Sequence, residues 1–214
     1  MAVMSLISLA PSRVVSPKVY ALILDSPRLR QTLLPQGMIS SPYQVLDYQA
    51  VLMLKDPEGR EAVFHRTQRV QFLQDGVSAI LDHAWGDGVL VTNYLNSAGP
   101  LADSFKDEGR RHLVVGLKRP MGSGEVLAFA ADRTIMEGFR AEEEWWQISI
   151  DHPVRRLKQT VIFPKARPCQ QAVLYDGKTE LVLPVLVGPR GQTMVRFTIP
   201  QPLADVPYTV VWKW

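Results

Sequence analysis

Asp82 and His83 adjoin in the run Ser78-Ala-Ile-Leu-Asp-His-Ala84, and Asp87 follows in the turn Trp85-Gly-Asp-Gly88. Two carboxylates and an imidazole this close could hold a metal ion or move a proton. With His112 from a later segment, they are the first residues to consider for a hydrolase-type enzyme assembled from dispersed Asp and His side chains. Strand alternation, however, sends Asp82 and His83 to opposite faces, which hinders joint ligation of one ion. His65, His112 and His152 share no i, i+2 or i, i+4 pairing. Gly86 and Gly88 permit left-handed backbone, so Asp87 also reads as an ordinary turn residue. The sequence implies no metal and no cofactor.

Cys169 is the only cysteine, which rules out an internal disulfide and a cysteine-based zinc site within one chain. It sits between Pro168 and Gln170, where a nucleophile with His152 or His112 as base is less well supported than a small buried apolar residue. No serine stands in a Gly-x-Ser-x-Gly elbow, and no phosphate-binding loop has the required Lys and Ser/Thr. Gly122-Ser-Gly124 opens a strand, so it reads as a hairpin turn. Glu142-Glu-Glu144 precedes a strand and reads as a solvated, edge-protecting approach. Asp103, Asp107 and Glu108 are the other acidic set.

Basic residues are denser. His65, Arg66 and Arg69 share one segment; Arg110, Arg111, His112, Lys118 and Arg119 bracket another; Arg155, Arg156, Lys158, Lys165 and Arg167 surround a third. On neighbouring strands they would make a positive face for an anion or an acidic partner. The net charge is only +3, from 24 basic and 21 acidic residues, and a dedicated nucleic-acid domain carries a larger excess. Aromatics able to stack on bases fall at positions where alternation predicts burial. Nucleic acid is therefore the weaker partner. Trp145 lies opposite Trp146 in the alternation, which sends it to the outer face or beneath a second layer. Trp145, Arg66, Arg69, Arg155 and Arg156 are the residues expected to meet another protein.

The elements that must position these groups are strands. Trp146, Ile148 and Ile150 alternate with polar residues, and Leu157 to Phe163 is β-branched and aromatic. The stretch from Glu142 to Pro164 reads as two strands joined by a short turn at His152-Pro153. Gln44 to Leu54 and Glu61 to Leu73 form a hairpin about Asp56-Pro-Glu-Gly59, with Leu46, Tyr48, Ala50, Leu52 and Leu54 on one face. In the return strand Arg66 and Gln68 interrupt the apolar face, which suggests a bulge or a wet edge. Asn96 to Gly109 reads as the longest loop. Asp176-Gly177 signals a further hairpin, and the final strand stacks Tyr208, Val210, Trp212 and Trp214 on one face.

Sixteen prolines and fourteen glycines spread along the chain mark many turns. Roughly twelve strands at regular spacing make this an all-β protein, an antiparallel sandwich or barrel-like set of sheets. Lys18 to Leu24 adds a strand and Ser26 to Leu34 one short N-terminal helix, capped by Ser26. Residues 1–140 would be a β-rich region and 141–214 a small, immunoglobulin-like sandwich, with a single domain as the competing division. No apolar run is long enough for a spanning helix, and the start lacks the basic residues that precede a signal-peptide core. The sequence reading is a soluble, cytoplasmic, non-enzymatic module that mediates protein–protein interaction, as an accessory or sensing component of a larger system.

Overall fold

A computed structural model describes residues 41–214, apart from 108, 151, 204 and 205. The expected strand at Lys18 to Leu24 and helix at Ser26 to Leu34 lie outside the described residues. Within them the chain is all β: β1 (Tyr43–Leu54), β2 (Glu61–Phe72), β3 (Val77–Ala84), β4 (Val89–Asn96), β5 (Leu101–Asp107), β6 (Arg110–Met121), β7 (Val126–Met136), β8 (Glu143–Ile148), β9 (Arg156–Ile162), β10 (Gln171–Tyr175), β11 (Glu180–Leu183), β12 (Val185–Val187), β13 (Thr193–Pro200) and β14 (Tyr208–Lys213). No described helix is long and apolar enough to cross a membrane.

Three sheets result. A seven-stranded sheet runs β12-β13-β9-β1-β2-β7-β4, a four-stranded one β11-β10-β14-β8 and a three-stranded one β3-β6-β5. Pairing is antiparallel except between β1 and β9, which run parallel from Tyr48↔Leu157 to Met53↔Ile162. Residues before 137 supply the three-stranded sheet and four strands of the large one. Those from 143 onward supply the four-stranded sheet and the other three, so the β1–β9 ladder carries hydrogen bonding across residue 140.

The large sheet is the common floor. Against one part of it the four-stranded sheet buries Leu52, Phe64, Ile135, Leu157, Val161, Phe197, Val210 and Trp212. Against another part the three-stranded sheet buries Tyr43, Val45, Val70, Phe72, Ile80, Val115 and Phe129. Tyr48 and Val154 pack on both clusters and mark the seam between them.

Alternation explains most of the burial. Ala50, Leu52 and Leu54 face inward as expected, but a register shift between Val45 and Asp47 exchanges faces, so Val45 and Tyr43 take the buried positions instead of Leu46. Gly59 occupies the left-handed turn position, with φ 69°. Tyr208, Val210, Trp212 and Trp214 are all buried, and the Trp214 indole donates to the Ala141 carbonyl at 2.9 Å.

Two connections differ from the sequence reading. β8 and β9 do not form a hairpin: β8 joins β14 in the four-stranded sheet, whereas β9 lies beside β1 and β13. The chain between them is captured by β1, with Val45 N donating to Pro153 O and Arg155 N to Val45 O. The segment expected to be a long loop contains β5, which pairs with β6 from Leu101↔Val115 to Asp107↔Arg110. Its polar side chains are tolerable because β5 is an edge strand.

Candidate functional site

The seam between the two cores holds a charged cluster. Arg66 follows Phe64 and precedes Val70 on the buried side of β2, and Arg133 lies between Ala131 and Ile135 on that of β7. In register, Arg66 faces Ala131 and Arg133 faces Phe64. Ala50 on β1 is the other cross-strand neighbour of Arg66. Two alanines therefore leave room for one guanidinium, while the other spreads over the Phe64 ring at 4.4 Å from its centroid.

Asp82 on β3 answers them from the opposite layer. It is 3% exposed and accepts from Arg66 Nη1 at 2.6 Å, from the His83 backbone N–H at 2.8 Å and from the Tyr94 hydroxyl at 3.0 Å. Asn96 donates to that hydroxyl at 3.0 Å and accepts from Ala98 N at 2.9 Å. Tyr94 reaches inward from β4, whose ladder with β7 shifts register twice, and whose Asn93 is left-handed at φ 50°. The irregular edge strand thus re-aims a side chain at the site.

Burial alone would raise the Asp82 pKa, but Arg66 and Arg133 reverse this and hold it below the ordinary aspartate value. Burial lowers the Arg66 pKa and Asp82 raises it, with a net rise. For Arg133 burial prevails: its pKa is lowered, Asp82 opposing and Arg66 adding to the fall. Tyr48 and Tyr94 are pushed up, mainly by burial, and stay neutral. Two guanidiniums therefore share one carboxylate. Arg133 Nη1 also donates to the His83 carbonyl at 3.1 Å, and Nε of each arginine has no hydrogen-bond partner.

Beside this cluster lies a cavity of about 130 Å³ with aromatic walls from Tyr48, Phe64, Phe129 and Trp146. It is close to the size of an apolar cavity that takes up benzene, about 150 Å³. Its lining gathers Asp82, His83 and Asp87, three of the four residues named for enzymatic chemistry. His112 does not line it; buried at 2% exposure, it stacks on Phe105 at 4.9 Å. Gly86 and Gly88 have φ 124° and 77°, as the turn around Asp87 requires. Among the described residues no group of three or more His, Cys, Asp or Glu could hold a metal ion. Cys169 is buried, its thiol pushed up to about 11 by burial, far from a reactive thiolate at neutral pH.

The residues expected to meet a partner separate. Arg66 is 7% exposed and ion-paired with Asp82, so it belongs to the interior and not to an arginine face. Arg69 and Arg156 are exposed and both reach Asp47, at 3.4 and 2.5 Å. Arg155 is exposed next to Arg156. Trp145 is 43% exposed on β8 and lines the same cavity as Trp146. Arg133 was not singled out from the sequence, although it occupies an inward position between Ala131 and Ile135.

A scan against protein-family models finds no match, and a search of curated proteins finds none. Solved structures share the fold. The substrate-bound M1 zinc metallopeptidase mutant from Deinococcus radiodurans, with Tyr-Ser-Ala, matches at 15% identity and TM-score 0.50, over 79% of this chain and 42% of that one. A two-domain M1 zinc metallopeptidase bound to L-arginine matches at 16% identity and TM-score 0.51, again over 79% and 42%. A third, bound to L-tryptophan, matches at 15% and TM-score 0.50, over 80% of this chain and 43% of that one. The chain thus spans about two fifths of the length of the structures it matches, and the likeness is one of β fold.

Proposed function

We propose that this chain is a non-enzymatic β module that works by binding another protein, as an accessory or sensing component of a larger system. The observation carrying this reading is the exposure of apolar side chains along two open sheet edges, β11 and β12. Leu181, Val182, Leu186 and Val187 are 57%, 64%, 44% and 75% exposed. The two strands follow one another across Pro184, and each is the edge of its sheet. Unpaired backbone groups and apolar side chains at an open edge suit strand addition or docking by a partner protein. Trp145, on the opposite edge of the four-stranded sheet, is a second anchor. The two-domain M1 metallopeptidases support a unit of this fold serving alongside another, since it corresponds to 43% of one and 42% of another. A single buried thiol suits a cytoplasmic setting.

The competing hydrolase reading is weakened by the engagement of both Asp82 oxygens with Arg66, Tyr94 and the His83 N–H, which leaves no free base there. The anion-face reading is weakened by the burial of Arg66 and by Asp47 between Arg69 and Arg156.

Proximity labelling in the source cells tests the proposal. Val182→Lys/Val187→Lys is compared with wild type and with Val126→Lys, an exposed control on β7 that is 50% exposed. The expected result is a set of neighbours labelled by wild type and control but lost from the double variant, with Tm unchanged. Identical labelling by all three proteins overturns the reading.

A further inference from the structure

We propose that the cavity between the two cores is a binding site for a monoanionic carboxylate carrying an aromatic or bulky aliphatic group, held by Arg66 and Arg133. The argument begins with charge. Arg66 and Arg133 are 7% and 9% exposed, and Asp82 is the only buried carboxylate against them among the described residues. After burial, Asp82 is the main charge acting on either arginine, and Arg66 also acts on Arg133. A buried cation without its own counter-ion is costly, and a bound anion removes that cost.

Donor geometry agrees. Nε of both arginines is buried without a partner, although Nη1 of each is engaged, on Asp82 and on the His83 carbonyl. Those Nε atoms are closed to water, so a ligand would be met by the parts of the two guanidiniums that line the cavity, whose fork suits the two oxygens of a carboxylate. Shape then narrows the class. A volume of about 130 Å³ walled by Tyr48, Phe64, Phe129 and Trp146 accepts a ring or a branched aliphatic group. Asp87 and Glu144 also line the cavity, and burial together with Asp87 raises the Glu144 pKa. Acids in the lining make a second negative charge on the ligand unfavourable, so a monoanion is preferred over dianions such as phosphate monoesters.

Two sources present this chemistry: a free small carboxylic acid, and the C-terminal carboxylate of a peptide ending in an apolar residue. Calorimetric titration and thermal shift on the full chain distinguish them. One arm uses 3-phenylpropionate and indole-3-propionate against their neutral amides; the other uses a peptide ending in Phe with a free or an amidated C-terminus. Binding in either arm, with the acid at least roughly tenfold tighter than its amide, is the expected result. The arm that binds identifies the source.

Arg133→Met is the key variant. Arg133 accompanies no carboxylate of its own, so the apo Tm is expected to stay level or rise, while acid binding falls at least roughly tenfold. A purely structural arginine would instead lower the apo Tm. Should Arg133→Met fail to fold, Phe129→Trp narrows the cavity from the other core and is expected to abolish the ligand-induced Tm rise. Absence of binding in both arms, equal binding of acids and amides, or binding unchanged in the variants overturns the proposal.

Discussion

Arg133 and Phe64 oppose one another across β7 and β2, with the guanidinium carbon 4.4 Å from the ring centroid. The contact joins the two halves of the interior, because Phe64 belongs to the core under the four-stranded sheet whereas Arg133 turns toward Asp82 on the three-stranded one. The charged cluster is thus a polar bridge between the sub-cores, and several consequences can be measured.

Removing its single carboxylate should be severe. Asp82→Ala leaves two buried guanidiniums uncompensated and is expected to cost about 3–5 kcal/mol in chemical denaturation. Arg66→Met and Arg133→Met combined with Asp82→Leu should recover most of that loss, because an apolar set of similar volume leaves no buried charge uncompensated. A triple variant no better than Asp82→Ala would show that the charges stabilise by more than mutual compensation.

Acid sensitivity follows with a fixed sign. Despite burial, Arg66 and Arg133 hold the Asp82 pKa below its unfolded value. The folded state therefore binds this proton less readily than the unfolded chain does. Its contribution is complete above about pH 4, the unfolded aspartate value, and is lost as pH falls through the lower folded pKa. Urea titrations from pH 7 to pH 3 should show stability falling in the acid range, with a shallower fall for Asp82→Asn. Glu125, held near 2 chiefly by Arg119, has the same sign, so Glu125→Gln serves as an independent comparison.

Gln159 is a different kind of liability. It is fully buried on β9 between Ala50 and Phe197 in register, and neither amide atom has a hydrogen-bond partner. Gln159→Leu keeps the volume and removes the unmet polar demand, so a gain of about 1–3 kcal/mol is expected in equilibrium unfolding. A loss would mean that the amide is satisfied in solution by a buried water.

At Gly59 backbone geometry decides. The residue is left-handed, and an added Cβ would lie 1.6 Å from the Phe139 carbonyl oxygen. Gly59→Ala must displace the Phe139 segment, whose N–H donates to the Gly59 carbonyl at 3.2 Å, and should cost at least about 2 kcal/mol by thermal or urea unfolding.

Local features were legible in the sequence wherever one short-range rule decided them. Asp56-Pro-Glu-Gly59 and Asp176-Gly177 announce hairpins that form, β1–β2 and β10–β11. Tyr208, Val210, Trp212 and Trp214 alternate into the core as their period requires. Long-range choices left no such mark. Nothing in His152-Pro153 reveals that β9 leaves β8 and runs parallel to β1, because that ladder depends on residues more than a hundred positions away. β5 escaped notice because an edge strand can carry Asp103 and Lys106 without burying them. Asp82, His83 and Asp87 drew attention by type and do line the cavity. Parity puts Arg66 on the apolar face of its strand, where its charge suggests a bulge or a wet edge and a partner, but the structure keeps it buried on a strand internal to the sheet. The better signal was that Arg66 and Arg133 each occupy the inward parity of an otherwise apolar strand.

The parallel ladder between β1 and β9 also has a meaning in time. When β1, β2 and β7 have been synthesised, the β1 edge that β9 later covers still has no partner, and the four-stranded lid does not yet exist. Leu52 and Phe64, buried in the finished molecule, must wait on residues beyond 142 for their cover. High sequence separation of this kind slows folding and prolongs exposure of a sticky edge. Chains that stall before about residue 160 should therefore be the aggregating species, and the full-length protein should fold only once most of it has left the ribosome.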